Sequence, residues 1–195
     1  MRLRVLGLLT CLVLPCAALA DDQVPSTDIF SYSTLELDHL HQHSDFFADS
    51  SQGNGLRAAW DFDGGVYVFG QWAKLDFDRV GSHTVQGIGV GAHQAYSSTM
   101  SFYIDLAFMQ DKLSADLGAA TDDYWRIDYG MRAQVTTMIE LDAAIFAERN
   151  TQFGGRPFGL RAGGGLDFGP VSVLAGIEHT ANGNTTLLNL IWAYR

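Results

Sequence analysis

The stretch YWRIDYGMRAQV, Tyr124 to Val135, sorts its residues by parity. Trp125, Ile127, Tyr129, Met131, Ala133 and Val135 are apolar or amphipathic, and Arg126, Asp128, Gly130, Arg132 and Gln134 stand between them. Successive side chains of a β-strand point to opposite faces, so this pattern predicts a strand with one greasy and one charged face. The same period of two recurs almost throughout the chain, and helical spacing is scarce. Leu56, Ala58, Trp60 and Phe62 alternate with Arg57 and Asp61. Met100, Phe102, Ile104, Leu106 and Phe108 alternate with Ser101, Tyr103 and Asp105. Ile139, Leu141, Ala143 and Ile145 face away from Glu140 and Asp142. Phe158, Leu160 and Leu166 oppose Arg161 and Asp167, Val173 and Ile177 oppose Ser172 and Glu178, and Leu188, Leu190 and Trp192 oppose Asn189. Ile88 and Val90 alternate with Gly87, Gly89 and Gly91. Near the start, Leu35 and Leu37 oppose Glu36 and Asp38. One segment is less regular: Tyr67, Phe69, Ala73, Leu75 and Phe77 read as its apolar face, with Val68 and Trp72 as apolar exceptions on the other. Ten strands are predicted in all.

The connections alternate too. Asp63-Gly64 is a hairpin dipeptide, and Tyr96–Thr99, Thr136-Thr137 and Gly169-Pro170 are also short. Between them fall longer, more polar segments at 42–54, 78–82, 113–123, 150–156 and 179–184. In an up-and-down meander this puts all tight turns at one end and all loops at the other, as in outer-membrane barrels. The expected fold is all-β: a closed, antiparallel, up-and-down transmembrane β-barrel of about ten strands spanning residues 29–195.

Alternation alone does not say which face is outside, and a secreted lipocalin-like carrier has the same period with the opposite polarity. Three features favour lipid outside. The apolar faces are long enough for tilted strands of about nine to eleven residues. Aromatic residues gather at both strand ends: Trp60, Phe62, Tyr67, Phe69, Phe102, Phe168, Trp192 and Tyr194 near the turns, and Phe77, Phe108, Trp125 and Phe158 near the loops. Two girdles at two water–lipid boundaries account for that. The polar faces carry Gly, Arg, Asp and Glu but almost no Lys, which suits a narrow lumen of paired guanidinium and carboxylate better than a solvated exterior.

The ends and the charge agree with export. Residues 1–20 have Arg2 and Arg4, an apolar run and Ala18-Leu19-Ala20, the form of a signal peptide cleaved near Ala20. Residues 21–28 read as a short periplasmic lead-in. Both cysteines, Cys11 and Cys16, lie in the leader, so the mature chain has no thiol chemistry. Losing Arg2 and Arg4 leaves ten basic against twenty-two acidic residues, taking the formal charge from −10 to −12. That sign argues against a nucleic-acid partner.

The chemistry worth weighing is therefore a lumen charge network: Arg57, Asp105, Arg126, Asp128, Arg132, Glu140, Asp142, Arg161 and Asp167, close to neutral where it is dry. Tyr103, Phe146, Trp72, Arg126 and Arg132 are the bulky residues expected to fill the lumen. His39, His41 and His43 in HLHQH share one face of a strand end. A metal site there would want an added carboxylate such as Asp45, and a polar run entering a loop is the plainer reading. GIGVG lacks the following helix that a phosphate loop needs, so its glycines relieve crowding in the lumen instead. His83, Ser82, His93 and His179 are the pieces available for catalysis, but no GxSxG elbow occurs and no enzyme is expected. The acidic positions Asp45, Asp49, Asp116, Asp122 and Asp123 read as solvated loop charge.

With GLRAAWDFDGGVYVFGQWAKLDFD, GIGVGAH, YWRIDYGMRAQ, IELDAAIFAER and FGLRAGGGLDFGPVSVLAGIE, the chain resembles the small outer-membrane β-barrel proteins of Gram-negative bacteria, of the opacity-protein and porin-like type. It looks closest to a short-barrel family that includes a proposed activator of plant immunity. The resemblance implies a ten-stranded barrel in the outer membrane and no catalytic residue. Such barrels usually end on an aromatic residue read by the assembly machinery, whereas here Tyr194 precedes Arg195. The expected protein is an integral outer-membrane barrel with a largely filled lumen, acidic outer loops and a structural or surface-interaction role. A narrow porin-like channel is the second expectation. The expected partners are outer-membrane lipid, lipopolysaccharide and, during insertion, the barrel-assembly machinery; the expected state is a monomer, with no cofactor.

Overall fold

The computed structural model describes residues 30–44, 49–62, 64–77, 81–115, 118–150, 158–181 and 183–194. The leader, the lead-in and Asp45 and Asp116 lie outside the described residues. The alternating segments are ten strands: β1 (Thr34–Ser44), β2 (Asp49–Phe62), β3 (Val66–Phe77), β4 (Gly81–Ser97), β5 (Met100–Ala115), β6 (Gly118–Thr136), β7 (Ile139–Asn150), β8 (Phe158–Asp167), β9 (Val171–Thr180) and β10 (Gly183–Ala193). Each pairs antiparallel with its sequence neighbours, and β1 pairs with β10, so the sheet closes without an edge. Closure is what a hydrocarbon surround demands, because every strand then has a ladder partner on both sides.

The polarity is lipid-outward. Trp60, Ile88, Leu106, Trp125, Leu141, Leu160 and Trp192 stand exposed on the outer wall, Ile88 at 71% of its accessible surface. Glu140, Asp105 and Asp128 are buried inside. An apolar skin encircling a charged interior is the reverse of a secreted carrier barrel. Among the described residues no helix is long and apolar enough to cross a membrane; the strands carry that band instead.

Two expectations are corrected. The face of β3 read as apolar and lipid-facing, Tyr67, Phe69, Ala73, Leu75 and Phe77, points inward, so Tyr67, Phe69 and Phe77 belong to no girdle, while Val66, Val68 and Trp72 point out. Trp72 therefore does not fill the lumen. Both faces of β3 are apolar, so parity could not choose; the neighbouring strand does. Tyr67 pairs with Gly91 and Phe69 with Gly89, and the rings occupy the space a side chain on either glycine would need. The second correction concerns the loops. Much of 42–54 and 113–123 is strand, with pairing continuing to Ser44↔Asp49 and Ala115↔Gly118. A polar hairpin that rises above the apolar band meets water on its outer face, so it keeps its ladder without apolar alternation. The tight turns sit where expected. Gly64 and Gly65, at φ 111° and 78°, occupy the left-handed region that the β2–β3 turn requires.

Candidate functional site

The lumen gathers most of the ion pairs among the described residues, and it is layered. The layer nearest the tight turns is aromatic. Residues just before β1 fold into that end: Phe30 and Tyr32 are buried, and Ser33 accepts a backbone hydrogen bond from Tyr194. The Tyr32 ring stacks on His93 with centroids 3.9 Å apart and on Tyr67 at 5.2 Å. Its hydroxyl donates to Ser101 Oγ at 3.1 Å. His93 Nε2 in turn lies 3.0 Å from Asp61 Oδ2. Arg132 locks this plug. Its guanidinium donates to Glu140 at 2.6 Å and to the Ser31 carbonyl at 3.3 Å, and lies 4.7 Å over the Phe30 ring.

Above the plug lies a belt of three further arginines. Arg57 on β2 donates to Glu36 at 3.1 Å and to Asp105 at 3.2 Å across the lumen, and Tyr67 donates its hydroxyl to the same Asp105. Arg161 on β8 donates to the Tyr103 hydroxyl at 2.7 Å and to Asp142 at 3.4 Å, and stands 3.6 Å from Asp128. Arg126 on β6 holds Asp128 with two hydrogen bonds of 2.9 and 3.0 Å. It also reaches Glu148 at 3.2 Å and Glu178 on β9 at 2.8 Å, and lies 3.9 Å over the Phe146 ring. Such forked, charge-assisted bonds fix geometry strongly. They tie strands to others several positions round the wall, which the ladder alone does not do.

The arrangement thus brings together Arg57, Asp105, Arg126, Asp128, Arg132, Glu140, Asp142 and Arg161. Asp167, counted with them from the sequence, sits apart: it accepts from the Gly169 amide at 2.7 Å and caps the β8–β9 turn. Glu36, Glu148 and Glu178 are members that the sequence reading did not include. Their parity was the signal: each shares the inward face with Asp38, Asp142 or Ser172. The inward entry of Phe30 and Tyr32 had no such signal, because it precedes the first alternating segment.

Acidic side chains outnumber basic ones around the open part of the lumen. Towards the loop end a cavity of about 480 Å³ remains, and eight carboxylates but only four arginines line it and its floor. Among the described residues no three His, Cys, Asp or Glu side chains converge so as to hold a metal ion. His39, His41 and His43 all point out from β1, in the exposed strand end beyond Leu35 and Leu37, and His39 pairs with Asn54 at 3.1 Å. His83 lies 3.4 Å from Asp111, as His93 lies beside Asp61.

No family model matches the chain, and no curated protein matches it. Among solved structures it is similar to the KdgM porin, with a TM-score of 0.50 at 5% identity over 83% of this chain and 99% of that one. It is also similar to the NanC porin, with a TM-score of 0.52 at 7% identity over 83% and 100%. The fold is that of the small outer-membrane β-barrels.

Proposed function

We propose that the chain is an integral outer-membrane protein of Gram-negative bacteria, exported by residues 1–20 and cleaved near Ala20, with a barrel shut at its turn end. It works as a rigid scaffold that holds its acidic loop end towards the outside, in a structural or surface-interaction role. The observation that carries this reading is the plug: Phe30 and Tyr32 pack among Tyr67, Phe69 and Tyr103, and Arg132 clamps them. Outer-membrane lipid and lipopolysaccharide are its surroundings, the barrel-assembly machinery its partner during insertion, and the monomer its working state. The reading contains no catalytic step. Purified protein in a planar bilayer is expected to show no large steady channel; stable ionic steps would overturn it.

A narrow solute channel is the second reading, favoured by the likeness to two porins and by the cavity at the loop end. One KdgM structure is a complex with disordered oligogalacturonate. A polyanion of that kind suits this lumen poorly, because carboxylates outnumber arginines two to one along the cavity.

A further inference from the structure

The cavity above the plug has two unlike walls. On β2 and on β5 to β9 it meets the arginine belt, where every guanidinium is already bonded to carboxylates. On β1, β9 and β10 it meets a different surface. The register sets Asp38, Asn189 and Leu174 side by side in one row, and Leu40, Leu187 and Gly176 in the next. All six line the cavity. Gly176 pairs with Gly163, and two glycines in a row leave the wall recessed there.

Asp38 is the odd member. It points inward, no hydrogen bond or ion pair engages it among the described residues, and its Oδ1 is buried without a partner. The two nearest bases make no bond to it: Arg57 on the adjacent strand is bonded to Glu36 and Asp105, and Arg161 to Asp142 and the Tyr103 hydroxyl. A half-buried carboxylate with no bonded partner, set beside an apolar hollow, favours a cation. A bare metal ion would want several converging oxygens, whereas the neighbouring carboxylate Glu36 is held by Arg57 and the row beside Asp38 offers one amide and leucine side chains. A molecule with a cationic head and a hydrocarbon body satisfies both parts.

We propose that this recess binds a small organic ammonium ion, alkyl or arylalkyl, with its ammonium group on Asp38 and its apolar body against Leu40, Leu174 and Leu187. Asn189 adds an amide beside the head group. The site goes beyond the closed-scaffold reading, and its occupancy is measured in micelles, where conductance plays no part.

The test uses the refolded mature barrel in maltoside micelles, followed by leucine-methyl NMR. Titration with 2-phenylethylammonium is expected to shift the Leu40, Leu174 and Leu187 methyls and saturate. Binding should be at least about ten-fold tighter than that of the neutral isostere 2-phenylethanol. Asp38→Asn should abolish that preference while the protein keeps heat-modifiable gel migration. Leu187→Asn should weaken both compounds. Equal binding of the two compounds, an unchanged preference in D38N, or displacement of the ammonium ion by equimolar potassium would each overturn the site. A conducting barrel that still binds the ammonium ion would sink only the closed-scaffold reading.

Discussion

At the scale of single residues, the lumen is assembled from glycine–aromatic joints. Tyr67 faces Gly91, Phe69 faces Gly89, Tyr103 faces Gly130 and Phe146 faces Gly159, each pair directly opposed across adjacent strands. In all four a side chain added at the glycine would collide with the ring. Gly130→Val should therefore cost about 1–3 kcal/mol by overpacking. Reversible urea unfolding in micelles reads this directly, and an unchanged midpoint would show that Tyr103 is free to move. The arginines make the complementary case. Arg126→Met removes the cation shared by Asp128, Glu148 and Glu178, leaving Asp128 only the longer contact to Arg161 and three carboxylates close together. Breaking a buried pair by deleting one partner costs about 3–5 kcal/mol. The same unfolding measurement should show at least that loss, and less of it when Glu178→Gln is added, since part of the repulsion is then gone.

Strands are the scale at which the sequence was most legible. Where one face is charged, as in β6, the period of two identified the strand, its inward residues and most of its partners. Where both faces are apolar, as in β3, the same reasoning named the wrong face, because the deciding fact was the run of glycines on β4. Long-range order was less visible still. Nothing local to Arg126 announces Glu178 three strands away, and nothing in SYS before β1 announces a plug. The outward face of β5 tests the membrane assignment at this scale. Leu106 and Gln110 lie on the same face of the same strand, Leu106 within the apolar band and Gln110 beyond Phe108 at its loop-side edge. Leu106→Arg should destabilise the inserted barrel by about 2–4 kcal/mol and Gln110→Arg by about 0–1 kcal/mol. Equal costs at the two positions would mean that no hydrocarbon layer lies against Leu106.

For the whole molecule, closure of the sheet and closure of the lumen are separate properties with separate causes. The ladder from β1 through β10 closes the wall, whereas Phe30, Tyr32 and Arg132 close the turn end of the interior. Removing ring volume from the plug should therefore open a path without unfolding the barrel. Phe30→Ala with Tyr32→Ala leaves every strand pair in place, and the variant should keep heat-modifiable migration. Any current it passes must cross the lumen, where eight carboxylates face four arginines. Fixed charge of one sign in a narrow, low-dielectric passage concentrates the opposite counter-ion. The double variant in a planar bilayer should then conduct where the parent does not. In a potassium chloride gradient its reversal potential should lie on the cation side. An anion-selective current would mean that the arginines, and not the surplus carboxylates, set the field along the path.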